Sequence, residues 1–306
     1  MLSRRVFGQQ KKGGAALLVL SSSFFWGCYA APQIPFVSGR SLLDRNLEET
    51  NCSRAIRGEA RMSFAGDGRR LSGQLLYLAE APEQLRLDIL SPFGVTVSTL
   101  TSDGREFSLY QLESRSYLTG EANQCNLQKF TQVPIPPRAL VEILRGRPPV
   151  LVAEGQAPTF EYIQPVLGRG YYQWVIWGAN QTREELHFTV EFPQKEPALQ
   201  VPRLKFLSVE QAGQILYEVH FRGYAKAEMA QATARSDDFS LMGGAVSGPA
   251  CSAKLPSEVE LSVPSTGYRL MLSNVEVEHN PVLASDVFQQ AIPSGVVVQR
   301  SKCSGE

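Results

Sequence analysis

Few side chains in this sequence could take part in catalysis, and they are scattered. Of the three histidines, His187 and His220 fall in strand-like segments on the side opposite the apolar residues, where solvated side chains are expected. The adjacent Glu184 and Glu185 also lie in such a segment and are predicted to be solvated at its edge. No Gly-x-Ser-x-Gly, His-Glu-x-x-His or phosphate-binding glycine motif is present. The sequence therefore predicts a protein that is not an enzyme and that holds neither a cofactor nor a metal ion.

The charge balance narrows the class of partner. The 306 residues include 30 basic and 30 acidic side chains, for a formal net charge of +0. Phosphate binding needs a basic excess or a clustered patch, so nucleic acid is not an expected partner. Apolar residues make up 43% of the chain, which is ample for a core. We expect a monomer.

The N-terminus is typical of an export signal. Basic residues precede an apolar run at residues 15–26, which is too short for a membrane span of ~20 residues. A small residue followed by Cys28 fits the pattern at which bacterial lipoproteins are cleaved and lipidated. We predict lipidation of Cys28. Cleavage after Ala30 is the alternative.

The other four cysteines are candidates for disulfides, because an exported chain reaches an oxidising compartment. They are Cys52, Cys125, Cys251 and Cys303, which allow three connectivities. We favour pairing within each end of the chain, Cys52 with Cys125 and Cys251 with Cys303. Free buried thiols are the alternative. The sequence contains no Cys-x-x-Cys pair, so it does not indicate a zinc site.

Alternation of apolar and polar residues predicts β-strands through much of the chain. Turns at residues 91–94 and 102–104 separate three alternating runs, which favours an antiparallel meander. About eleven such segments occur, and helices are predicted in only two places. The sequence therefore predicts a mainly β fold (α+β), in which a single curved antiparallel sheet forms an incomplete, half-open barrel with a helical lid.

The predicted lid lies where the alternation stops. Leu140, Ile143 and Leu144 share one helical face, with prolines before them and Gly146 after them. The predicted organisation is a lipoprotein signal peptide (1–27), a lipidated N-terminus and tether (28–40), a half-barrel domain (41–300) with a lid (123–150) and a flexible loop (231–250), and a tail (301–306).

A sheet that curls without closing has a concave face, which helices or a ligand must fill. Which of the two sheet faces is concave does not follow from the sequence, and packing in a closed core is the alternative for each residue. The candidate cavity residues are apolar and share strand parity: Leu85, Leu87, Ile89, Val95, Val97, Phe107, Leu109, Trp174, Ile176, Phe188, Val190, Tyr217 and Val219.

One turn carries an aromatic residue where polar residues are usual. Pro92, Phe93 and Gly94 follow Ser91 between two alternating runs. Phe93 either folds back to cap the core or projects as an exposed apolar group that contacts a membrane or a lipid.

Two motifs resemble the LolB family of outer-membrane lipoprotein receptors. LRLDILSPFGVTVSTL (85–100) is similar to the family's strand, Asn/Ser-Pro-Leu-Gly turn and second strand. VPIPPRALVEILRGRP (133–148) is similar to its Pro-Ile-Pro segment and the short helix that ends in Leu-Gly-x-Pro. The similarity returns at residues 254–278. Phe93 stands where the family usually has leucine, and the chain runs on past this last matching segment.

The resemblance implies a LolA/LolB-like half-barrel whose apolar cavity binds the acyl chains of lipoproteins. It also implies that the turn of Pro92, Phe93 and Gly94 acts in membrane insertion. The expected location is the periplasmic face of the outer membrane, with a lipid anchor and with a LolA-like periplasmic carrier as a candidate partner.

Three alternatives stay open at this point. The chain is a structural or interaction lipoprotein without lipoprotein cargo, a soluble periplasmic lipoprotein carrier if Cys28 is not lipidated, or an enzyme on the same scaffold.

Overall fold

A computed structural model describes residues 36–166, 169–191, 200–229, 247–249 and 252–303. The predicted signal peptide, Cys28 and most of the predicted loop at 231–250 lie outside these residues. The helices are α1 (Gly39–Thr50), α2 (Gln124–Thr131) and α3 (Pro137–Leu144). The strands are β1 (Ala55–Gly66), β2 (Arg69–Glu80), β3 (Gln84–Leu90), β4 (Thr96–Ser102), β5 (Glu106–Gln111), β6 (Ser116–Glu121), β7 (Thr159–Ile163), β8 (Tyr171–Gly178), β9 (Thr182–Glu191), β10 (Val201–Gln211), β11 (Gln214–Lys226), β12 (Glu228–Met229), β13 (Lys254–Val263), β14 (Tyr268–His279) and β15 (Val297–Arg300).

All described strands belong to one curved sheet that does not close. Its order is β15-β6-β5-β4-β3-β2-β1-β14-β13-β11-β10-β9-β8-β7, with β12 beside the end of β14. The prediction of a mainly β fold with one open sheet is confirmed. The predicted count of about eleven strands is wrong, because the sheet has 15. β7, β12 and β15 have only five, two and four residues, too few for alternation to show clearly.

Helix α1 covers one half of the concave face. Ser38 caps its first turn, and the Asn46 side chain donates to the Pro202 carbonyl on β10 at 2.9 Å. Leu42 and Leu43 are buried in the main core. A Cβ at Gly39 would come within 2.3 Å of the Trp174 ring, so the helix approaches β8 as closely as glycine allows.

Helix α3 covers the other half of this face, packing on β2 and β3. Arg145, which follows it, is almost fully buried. Its guanidinium donates to the Ser53 carbonyl and to Glu142 Oε1 at 3.0 Å. Burial lowers the pKa of Arg145 to about 10, and the Glu142 carboxylate opposes that shift. These contacts hold the end of α3 against the segment between α1 and β1.

The disulfide pattern differs from the predicted one. Cys125, in α2, is bonded to Cys303, beyond β15. The predicted pairing of Cys52 with Cys125 and of Cys251 with Cys303 is therefore wrong. Cys52 is also disulfide-bonded. The predicted pairing joined cysteines that are near one another in the sequence. In the structure β15 runs beside β6, which brings Cys303 to Cys125 across 178 residues of sequence.

Candidate functional site

A cavity of about 510 Å³ lies between the first half of the sheet and the lid, and we call it the leucine cavity. Its floor is formed by side chains of the concave face: Met62, Phe64, Leu71, Leu75, Leu87, Ile89, Ser98, Leu100, Leu109, Gln111, Leu261, Leu270 and Leu272. Its roof comes from the end of α2, the segment that follows it, and α3: Lys129, Thr131, Gln132, Val133, Ile135, Leu140 and Leu144.

The leucine cavity opens at one edge of the sheet. Six tight turns lie along this edge, which we call the mouth rim, at residues 67–68, 91–95, 112–115, 179–181, 212–213 and 264–267. The exposed lining residues Leu71 and Gln111 lie within a few residues of these turns, whereas Leu75, Leu100 and Leu272, further along the strands, are buried. The cavity is therefore apolar and buried at depth and wet at the mouth rim.

Phe93 projects from the mouth rim. The Gly94 N–H donates to the Ser91 carbonyl at 2.9 Å, and the Ser91 hydroxyl accepts from the backbone N–H groups of Phe93 and Val95 at 3.3 and 3.2 Å. Gly94 has a φ of 77°, a conformation that glycine adopts without strain. The Phe93 side chain is 92% exposed, so in this structure it does not cap the core.

Phe93 is accompanied by other exposed apolar side chains on neighbouring turns and strand ends of the mouth rim. They are Leu71, Val95, Val97 and Leu112. Scattered exposed apolar residues are ordinary, but a group of them around the entrance of an apolar cavity is typical of a surface that meets lipid or protein.

A β-bulge interrupts the pairing of β3 with β4. Leu90 pairs with Thr96 and Ile89 with Ser98, so Val97 is an extra residue of β4 that has no paired residue on β3. Val95 and Val97 were expected to face inward, but both are exposed. The inward parity of β4 is set by Leu100, which pairs with the inward-facing Leu87. Ser98 and Leu100 take the inward positions instead.

The structure brings five of the predicted cavity and lid residues to the leucine cavity. They are Leu87, Ile89, Leu109, Leu140 and Leu144. Seven other predicted cavity residues are packed in hydrophobic cores: Leu85, Phe107, Trp174, Ile176, Phe188, Tyr217 and Val219. Val190 is partly buried against the main core, and the lid residue Ile143 lies within it. Contact of any of these residues with an acyl chain stays a prediction.

The prediction missed the cavity residues of β1, β2 and β14. Leu71 and Leu75 lie on the inward face of β2 with Tyr77, and Leu270 and Leu272 lie on the inward face of β14. Leu71 and Leu75 are four residues apart and Leu270 and Leu272 two apart, so each pair falls on one strand parity in the sequence. β2 pairs directly with β3, whereas the closeness of Leu270 and Leu272 to this half of the sheet follows only from the pairing of β1 with β14, which are far apart in the sequence.

On the other half of the sheet, the predicted solvent exposure of Glu184 is wrong. It was predicted to be solvated, but it is fully buried, because it shares the inward face of β9 with Leu186 and Phe188. Its Oε2 accepts from the Leu151 backbone N–H at 2.7 Å, and its Oε1 has no hydrogen-bond partner among the described residues. Burial raises the pKa of this carboxyl from 4.5 to about 7, and the Leu151 N–H opposes the shift. The two-residue spacing from Leu186 was the available signal.

This shifted pKa predicts a pH-dependent stability. Between pH 4.5 and about 7 the folded protein keeps a proton that the unfolded chain has lost, so the free energy of unfolding falls as pH rises and levels off above pH 7. The shift corresponds to about 3 kcal/mol. We expect Glu184→Gln to lose this slope and to exceed the wild type at pH 8 by up to about 3 kcal/mol. Urea unfolding at pH 5 and pH 8 measures it, with Glu218→Gln as the control. An unchanged slope in Glu184→Gln would contradict the assignment.

His187 and His220 lie on the outer face of the sheet, on β9 and β11. His187 hydrogen-bonds Glu185 at 2.7 Å on the outer face, and the pKa of Glu185 is lowered to about 2, chiefly by this bond. Burial lowers the pKa of His220.

Within the described ranges, no group of histidine, cysteine and acidic side chains could hold a metal ion. In the same ranges, no helix has both the length and the apolar character needed to cross a bilayer.

Comparison with known proteins gives structural neighbours only. No protein-family profile matches the sequence, and no curated protein matches it. A LolA superfamily protein from Nitrosomonas europaea has a TM-score of 0.48 at 11% identity, over 83% of this chain and 99% of that one. A DUF1329 family protein from Desulfovibrio piger has a TM-score of 0.47 at 11% identity, over 82% and 96%. A Vibrio parahaemolyticus domain named for outer membrane lipoprotein sorting has a TM-score of 0.46 at 8% identity, over 82% and 97%.

These identities and TM-scores are too low to assign a family or a function. Membership of the LolB family in particular is not shown. Evidence on function therefore comes from the leucine cavity and the mouth rim.

Proposed function

We propose that this chain is a lipid-binding lipoprotein of the outer membrane, which holds an acyl chain in the leucine cavity and helps to receive and insert lipoproteins. The observation that carries the proposal is an apolar cavity whose entrance lies beside the exposed Phe93. In this proposal, lipid on Cys28 anchors the protein at the periplasmic face, and a LolA-like carrier delivers the cargo.

The physical basis is the transfer of an acyl chain from water to an apolar space. Each buried CH₂ group contributes ~0.8 kcal/mol. A volume of about 510 Å³ is within the usual range for ligand cavities, and the lining offers mainly leucine side chains. The polar groups Gln111, Lys129 and Gln132 are exposed, so a polar head can stay in water at the mouth rim.

The experiment is a titration of a fluorescent fatty acid with the chain lacking residues 1–28. We expect saturable binding with a blue-shifted emission. Leu140→Trp, which narrows the cavity from the lid, should weaken binding about tenfold, since it removes space worth roughly two CH₂ groups. Leu76→Trp, on the outer face of β2, is the matched control and should bind as the wild type does. No response, or equal binding by Leu140→Trp, would exclude the leucine cavity as the site.

Anchoring is tested separately from lipid binding. Mass spectrometry of the mature N-terminus should find acyl groups on Cys28. An unmodified N-terminus after Ala30 together with normal probe binding would instead favour a soluble periplasmic carrier.

A further inference from the structure

A second cavity of about 270 Å³ lies under the same mouth rim, on the other side of the lid. The segment before α3 separates the two cavities. Val133 and Ile135 line the leucine cavity, whereas Pro134 and Pro136 line the second one. We call the second one the Glu184 cavity, because it contains the buried carboxylate described above.

The carboxylate of Glu184 is incompletely satisfied. It is fully buried, and the Leu151 N–H is its only hydrogen-bond donor among the described residues. Its Oε1 is buried without a partner there. No lysine, arginine or histidine of the described ranges forms an ion pair with it. A buried carboxylate without a counter-charge is costly, so a ligand that supplies the missing positive donor would bind favourably.

The rest of the lining defines the shape of such a ligand. Leu151, Val209 and Leu216 provide apolar walls, and Tyr217 is buried beside Glu184. A ligand that fits therefore has one cationic donor and a short apolar part.

We propose that the Glu184 cavity binds the primary ammonium group of a small amphiphile, with the ammonium against Glu184 Oε1 and the apolar part along Leu151, Val209 and Leu216. A carboxylate or phosphate would be repelled by Glu184. A hydroxyl could donate one hydrogen bond but would leave the charge uncompensated. This site goes beyond the proposed acyl-chain function and does not depend on it.

Binding should strengthen as pH rises, because only charged Glu184 attracts an ammonium ion. The other charged or titratable side chains lining this cavity are Tyr217 and the exposed Arg138. Burial raises the pKa of Tyr217, so its hydroxyl stays neutral between pH 5.5 and pH 8. With a pKa of about 7 for Glu184, the charged fraction and hence the apparent affinity rise about 30-fold over this range.

Calorimetric titration of the full chain with hexylamine, hexanol and hexanoate at pH 5.5 and pH 8 tests the proposal. We expect hexylamine to bind about 30-fold more tightly at pH 8 and hexanol and hexanoate to bind far more weakly. Glu184→Gln should weaken hexylamine binding at least tenfold, and Glu218→Gln should not.

Equal binding of hexanol or hexanoate, or a pH-independent hexylamine affinity, would overturn the proposal. The pH series on the wild type decides the matter even if Glu184→Gln fails to fold. Hexylamine should not displace a fluorescent fatty acid from the same samples, which keeps this outcome separate from that of the leucine cavity.

Discussion

Replacing Phe93 with glutamate is expected to abolish the transfer of bound lipid to liposomes while leaving folding and acyl-chain binding nearly unchanged. The side chain is 92% exposed at the mouth rim, so its loss removes little core packing. Burying a phenylalanine in a bilayer gains ~1.5–3 kcal/mol, which favours a membrane encounter about tenfold or more. That gain is too small to hold the protein in the membrane. Phe93 is therefore expected to act as a wedge, a side chain that enters the bilayer only briefly during transfer.

Transfer of a fluorescent lipid from the protein to liposomes measures the effect, and thermal unfolding checks the fold. Val166→Glu is the matched control, because Val166 is equally exposed but lies between β7 and β8, at the opposite edge of the sheet. Normal transfer by Phe93→Glu, or a large drop in its melting temperature, would falsify the wedge role.

The second large effect is expected at the lid. Leu144→Asp places a charge on the face of α3 that packs in the core and lines the leucine cavity. The variant loses the packing of a buried leucine, about 2–5 kcal/mol, and buries an unpaired charge in addition. We therefore expect a loss of at least about 3 kcal/mol in the free energy of unfolding, together with weaker binding of a fatty-acid probe.

Arg138→Asp is the control for this change, because Arg138 is the exposed residue in the first turn of the same helix, where an acidic side chain is tolerated. Its stability should stay within about 0.5 kcal/mol of the wild type. Unaltered stability and unaltered probe binding in Leu144→Asp would show that α3 does not close the cavity.

The turn and the lid could be predicted because both depend on local sequence. Ser91 to Gly94 carries its own hydrogen bonds, and the apolar spacing of Leu140 and Leu144 sets the inward face of a single short helix. The sheet could be predicted for the same reason, since alternation is a property of each strand alone.

What could not be predicted depends on contacts between distant segments. The bulge at Val97, and the inward parity that Leu100 takes opposite Leu87, show only in the pairing of β3 with β4. The disulfide of Cys125 with Cys303 depends on β15 joining β6. Trp174 and Phe188 have the pattern of cavity residues, but they are packed in the main core, on the half of the sheet that α1 covers.

Glu184 could be predicted only in part from the local sequence. Its spacing from Leu186 and Phe188 placed it on an inward face, yet a charged residue next to Glu185 is usually solvated. Only the packing of segment 149–151 over β9 shows that the carboxylate is buried and has one donor for two oxygens.

The most direct measurement of the central claim is photocrosslinking with a fatty acid that carries a diazirine near its methyl end, followed by peptide mapping. Binding in the leucine cavity predicts adducts on its deep lining, at Leu75, Leu87, Leu100, Leu109 or Leu272, that an excess of unlabelled fatty acid removes. Adducts confined to the outer face of the sheet or to the Glu184 cavity, or adducts that do not compete, would contradict it.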